Sequence, residues 1–156
     1  MALTDADIAP MQQAIAASRA ALAAGNQPYG AALVSPQGQL LLTAQNRQVT
    51  EDDCTAHAEL ELVRQATRQL GASALQGGTV YASGEPCAMC SGALFWAGVR
   101  RVVFAVPHDD MARILGGRLL PIRAAAVLGS GLPPVEVDGP LLADEAIQVL
   151  REAQRL

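Results

Sequence analysis

The sequence predicts an α/β domain built on a mixed sheet, and three observations carry that expectation. Short apolar strand-like segments alternate with helix-length periodic segments from Gly30 to Val106, and helix-length connections between strands imply parallel pairing. The first two strands are separated only by a tight turn, which imposes an antiparallel hairpin. Apolar residues make up 51% of the 156 residues and charged residues 17%, a balance that fits one core in a single domain spanning residues 1–156.

Each element has its own local reason. Thr4 to Ala24 reads as a helix because Ile8, Met11, Ile15 and Leu22 fall on one face, and Gly25 ends it. Pro10 fits only a first turn, so the regular part is expected to begin after Thr4. Gly30 to Val34 is the first strand, Pro36-Gln37-Gly38 the turn and Leu40 to Thr43 the second strand. Asn46 to Asp53 is a polar loop. A helix from about Ala56 to Leu70 follows, with Thr55 as its cap and Gly71 as its stop. Gly77-Gly78 precede a third strand, Thr79 to Ala82, then a helix from Cys87 to Ala97 and a fourth strand, Arg101 to Val106. Arg100-Arg101 reads as a solvated strand edge. His108 to Leu115 reads as a short helical loop with His108 a loop or surface histidine. Arg118 to Leu128 is expected to be helical, Val135 to Val137 a fifth strand, and Ala143 to Leu156 a C-terminal helix with Asp144 and Glu145 in its first turn. The sheet edge that binds ligands in such folds is the one at the carboxyl ends of the strands.

Composition excludes several chemistries. The net charge of -4 argues against a phosphate-binding face, so a nucleic-acid partner is not expected. All 11 basic residues are arginine, which removes Schiff-base and P-loop lysines. Met1-Ala2-Leu3-Thr4-Asp5 lacks the regions of a signal peptide, and no apolar run is long enough to span a bilayer. Three cysteines, two of them in C-x-x-C, read as metal ligands in a reducing cytoplasm rather than as a disulfide framework.

Two windows concentrate the remaining chemistry. Thr55-Ala56-His57-Ala58-Glu59 offers an imidazole and a carboxylate two residues apart, and Glu85-Pro86-Cys87-Ala88-Met89-Cys90 offers two thiols after a proline. The chain holds 2 histidines and 3 cysteines, and these windows contain His57, Cys87 and Cys90. Those residue types suit zinc. A structural zinc is closed by four protein ligands, whereas a catalytic one keeps a position open. Cys87 and Cys90 share a helix face, and Pro86 places Cys87 at or near an N-cap, where free N–H groups and the positive dipole end favour thiolate. His57 and Glu59 cannot both be ligands in mid-helix, but at a helix start Glu59 can sit beside the metal and handle protons. The bland alternative is a structural zinc module closed by Cys54 through its C-x-x-H spacing to His57. Otherwise Cys54 reads as a small buried residue.

H-x-E followed by P-C-x-x-C is the signature of zinc deaminases. The chain resembles the cytidine-deaminase-like superfamily, and within it the small bacterial guanine deaminases and their nucleobase and nucleoside relatives. The matching text also includes Pro28-Tyr29-Gly30-Ala31, Gln45-Asn46 and Gly92-Ala93-Leu94-Phe95-Trp96-Ala97. The resemblance implies a three-layer α/β/α sandwich with a mixed five-stranded sheet, one Zn2+ per chain and a homodimer. It implies hydrolytic deamination of an aminated heterocycle, guanine foremost, with release of ammonia; cytosine, nucleoside and tRNA adenosine deamination are the alternatives. His57, Cys87 and Cys90 match the family's zinc ligands, Glu59 its proton shuttle and Asn46 the asparagine that bonds the base. The Ala58 backbone N–H and the loop before Cys87 would orient base and water. Asp110, or equally Asp109, falls where guanine-specific relatives carry a second proton-moving acid; helix capping is the other reading. Trp96 falls where they carry a tryptophan near the pocket, with core or dimer interface as the other reading. Tyr29 is expected to pack beneath the site. In two places the chain departs from those relatives. They close the pocket with an aromatic C-terminal tail, whereas this chain ends in Arg151-Glu152-Ala153-Gln154-Arg155-Leu156, and Cys54 stands where the family usually has proline.

Overall fold

A computed structural model describes residues 2–156; Met1, at which the signal-peptide reading begins, lies outside them. Six α-helices and five strands follow in the order α1 (Ile8–Ala23), β1 (Gly30–Val34), β2 (Leu40–Gln45), α2 (Ala58–Leu70), β3 (Thr79–Gly84), α3 (Ala88–Trp96), β4 (Arg101–Val106), α4 (His108–Leu115), α5 (Ala124–Gly129), β5 (Glu136–Asp138) and α6 (Ala143–Gln154). The strands form one mixed sheet in the order β2-β1-β3-β4-β5. β1 runs antiparallel to both β2 and β3, while β3, β4 and β5 are parallel.

Strand periodicity builds the layers. Ala31, Leu33, Val80 and Val102 point to one face, where they pack with Ala58 and Leu62 of α2, Leu94 of α3 and Leu128 of α5. Ala32, Val34, Tyr81, Val103 and Ala105 point to the other, against Met11 and Ile15 of α1 and Val149 and Leu150 of α6. The result is the expected three-layer α/β/α sandwich. α1 lies so close to β1 that a Cβ on Gly30 would collide with the backbone oxygen of Ala14.

Three expectations are corrected. The connection from β2 through α2 does not pair neighbouring parallel strands, because β3 adds beside β1 on the far side of the hairpin. Residues 118–123 are not helical, and only Ala124–Gly129 forms a helix; Pro121 interrupts the earlier register. Arg101 is not a solvated edge. It is 4% exposed, and its guanidinium reaches Asp7 (Nη1–Oδ1 2.7 Å) and Asp138 (Nε–Oδ2 2.8 Å).

Asp7, 3% exposed, also accepts the Tyr81 hydroxyl at 2.6 Å and the Thr4 N–H at 2.9 Å. Burial alone would raise its pKa, but Arg101, Tyr81 and Thr4 outweigh that and hold it down to about 2. This cluster fastens the start of α1 across the beginnings of β3 and β4. Replacing Asp7 by Asn leaves the buried Arg101 guanidinium with one carboxylate, Asp138, in place of two and should cost about 3 kcal/mol near neutral pH. A folded pKa below the unfolded value contributes stability above about pH 4, and that contribution disappears as the pH falls toward 2. Urea unfolding followed by circular dichroism should therefore show the wild type and Asp7→Asn converging in that acid range. A gap independent of pH would contradict the assignment.

Candidate metal centre and cleft

The site lies at the sheet edge formed by the carboxyl ends of β2, β3 and β4. His57 is the N-cap of α2 (φ -67°, ψ 154°) and Cys87 the N-cap of α3 (φ -69°, ψ 174°). Both are extended residues at the point where a helix begins, so both side chains stand beside unpaired N–H groups. Thr55, the expected cap of α2, does not serve: its hydroxyl donates to Asp53 Oδ1 at 2.7 Å and its N–H to the same oxygen at 2.9 Å. Asn26 Oδ1 pins the approach loop by accepting the N–H groups of Val49 and Thr50, each at 3.0 Å.

The ligand atoms of His57, Cys87 and Cys90 lie within 4.8 Å of one another, and His57 Nδ1 is 3.6 Å from Cys87 Sγ. Tetrahedral zinc with bonds of about 2.0–2.1 Å to nitrogen and about 2.3 Å to sulfur requires a separation of roughly 3.5 Å. The three residues thus fit the ion that their chemistry favours. Cys54 is exposed and is not part of this cluster, so it is neither the buried residue nor the fourth ligand considered from the sequence.

The neighbouring Cys90 and then His57 hold the Cys87 thiol down to about 4, while the same proximity and burial push Cys90 up. His57 is raised, first by its contact with Cys87. Glu59, the second residue of α2, is 6% exposed, and burial pushes its pKa up to about 7.

A cleft of about 170 Å³ opens beside these groups, and Asn46, His57, Ala58, Glu59 and Cys87 all line it. Tyr29 lines it too rather than packing only beneath it, and burial together with the nearby Glu59 charge raises its phenol to about 12. Gly84 forms part of the wall, where a Cβ would sit 2.6 Å from Met111 Sδ and 2.9 Å from the Tyr29 ring. Two expected residues are not brought here. Asp110 lies in the first turn of α4, bonded to Arg113 Nη1 at 2.6 Å, and neither it nor Asp109 lines the cleft. Trp96, at the end of α3, is 83% exposed and stands edge-on to Phe95 outside the cleft.

Glu85 and His108 were not recognised from sequence. Glu85 is buried, and its carboxylate accepts His108 N–H (3.0 Å), Arg123 Nε (3.1 and 3.0 Å) and Ala124 N–H (2.9 Å). It therefore ties the starts of α4 and α5 to the loop before Cys87. His108 is 2% exposed, not a surface histidine. Its Nε2 lies 3.0 Å from the Glu85 carbonyl and 3.1 Å from that of Pro86; both partners can only accept, so Nε2 carries the hydrogen. The available signal was the placement of Glu85 directly before the proline of the thiol motif.

Comparison with known proteins agrees with this geometry. The family model described as the cytidine and deoxycytidylate deaminase zinc-binding region matches residues 4–106. The chain belongs to this zinc-dependent deaminase family. Hydrolytic deamination is therefore its class of reaction, and His57, Cys87 and Cys90 are positioned to hold the metal. A probable cytosine deaminase from Schizosaccharomyces pombe is 37% identical over 93% of this chain and 90% of its own length. Guanine deaminase from Bacillus subtilis is 42% identical over 54% of each chain. The solved structure of guanine deaminase from Nitrosomonas europaea superposes with a TM-score of 0.82 at 28% identity, covering 100% of this chain and 87% of that one.

Zinc measurements on variants test the centre. Cys87→Ala should lose the metal and Cys54→Ala should retain it in full. Glu85→Ala should keep the fold but weaken zinc roughly 10–100-fold in chelator competition, because the loop that carries Cys87 loses its anchor. Loss of zinc in Cys54→Ala would point to a closed four-ligand site instead.

Proposed function

We propose that the protein deaminates a free nucleobase or a closely related aminated ring, with guanine the foremost substrate. The observation that carries this reading is the juxtaposition of a buried, unligated carboxylate, Glu59, with a three-ligand centre in a cleft that also holds Asn46. Zinc, when bound, supplies the Lewis acidity that lets water act as a nucleophile near neutral pH. Glu59 takes the proton released as water adds to the amine-bearing carbon and delivers protons to the adjacent ring nitrogen and then to the departing ammonia. Asn46 orients the ring by hydrogen bonds, and the Ala58 N–H at the start of α2 adds a further donor. The guanine deaminase structure that matches along the whole chain supports the choice of ring. The cytosine deaminase relative that matches over most of the chain favours a pyrimidine as the second reading.

Ammonia release from guanine, cytosine, adenine, their nucleosides and aminated triazines tests the substrate. Glu59→Gln should retain stoichiometric zinc and lose about 10²–10⁴-fold in kcat. Retained turnover would remove Glu59 from the mechanism.

We further infer a homodimer in a reducing, cytoplasmic setting suited to free thiols. Met89 and Trp96, seven residues apart on one side of α3, are 36% and 83% exposed and offer an apolar contact face. Sedimentation velocity should give twice the chain mass, and Trp96→Asp should give the single-chain mass. An unchanged dimer in the variant would place the interface elsewhere.

A further inference from the structure

Gln48 lines the same cleft as Asn46 and is half-buried. Two hydrogen bonds join them. The Gln48 backbone N–H donates to Asn46 Oδ1 at 3.0 Å, and Asn46 Nδ2 donates to Gln48 Oε1 at 2.7 Å. The first bond settles the orientation of both amides. A backbone N–H can only donate, so the Asn46 atom facing it is oxygen. The nitrogen of Asn46 then faces Gln48, and its partner there must be an acceptor, the side-chain oxygen. The Gln48 amide nitrogen is consequently the free end of the pair, without a protein partner among the described residues. One N–H of Asn46 is free as well.

We propose that Gln48 is a specificity-determining residue: with Asn46 it presents two amide donors to the bound ring and selects rings whose edge away from the reacting amine carries oxo or ring-nitrogen acceptors. This rests on the reading of Asn46 as the base contact. Guanine answers that description, since its 6-oxo group and N7 both accept while its 2-amine is the group to be lost. The same purine with an amine at position 6 turns a donor toward donors. That leaves polar groups unpaired on both sides, so rejection contributes to the selectivity as well as attraction. A Gln48 that only braced Asn46 would affect all rings alike.

Gln48→Glu separates the two roles. One carboxylate oxygen still accepts from Asn46 Nδ2, while the free end changes from donor to acceptor. The kcat/KM for guanine should fall about tenfold or more, and the ratio of guanine to 2,6-diaminopurine should shift by at least about tenfold toward the diamine. Zinc content and circular dichroism should match the wild type. Gln48→Ala should lower both rings and narrow the ratio. Xanthine, which has no amine to lose and keeps the 6-oxo group, provides a readout independent of turnover: calorimetry should show its affinity for the zinc-loaded protein weakened about tenfold by Gln48→Glu. An unchanged ratio together with unchanged xanthine affinity would overturn the assignment, as would a wild type that does not bind xanthine. A wild type that binds xanthine but releases ammonia from neither purine would instead end the deaminase reading for these rings and leave the titration to decide Gln48.

Discussion

Everything at this site depends on bringing two helix starts to one point. His57 and Cys87 each occupy the last extended position before a helix, where the backbone still has strand-like ψ and the following N–H groups are unpaired. Two such starts repel one another electrostatically, since each is the positive end of a dipole, and anionic ligands relieve that repulsion. The thiolate character of Cys87 and the Glu61 carboxylate in the first turn of α2 supply that charge. The convergence is imposed by the sheet. β3 runs directly into the loop before α3, and β2 reaches α2 through a loop pinned by Asn26. Ala58, Leu62 and Leu94 seal the same core beneath both helices, so the ligand geometry belongs to the tertiary packing rather than to either helix alone.

The buried carboxylates show how environment divides identical chemistry into different roles. Glu85 and Glu59 both face the cleft and are almost equally buried. Burial raises each of them, but in Glu85 the hydrogen bonds from Arg123, His108 and Ala124 prevail and the pKa is lowered. Glu59 has no such shell, and burial prevails. One carboxylate is committed to holding loops together, and the other is left able to exchange a proton. Asp7, at the far end of the sheet, follows the pattern of Glu85.

Much of this was legible in the sequence, for physical reasons that can be traced. The first strand and the fourth matched their expected bounds because unbroken apolar runs flanked by glycine or arginine have one way to be buried in a sheet. The ligand triad was legible because scarce residue types at helical spacing follow a proline. Pairing of β3 with β1 was not, since local order gives the direction of a crossover and not the side on which it lands. Arg101 was misjudged because its partners lie far away in the chain, at Asp7 and Asp138. Glu85 escaped notice for the same reason: its partners, His108 and Ala124, are delivered by the fold from far along the chain, and one-dimensional spacing carries no trace of them.

The chain has a single tryptophan, and it sits on the outside. Its indole is wet in the native monomer, so its fluorescence should emit near the wavelength of the denatured protein and report little of core melting. The same emission would move to the blue once another surface covers the ring. The chromophore that in most proteins announces unfolding would here respond instead to the covering of an outer face of α3.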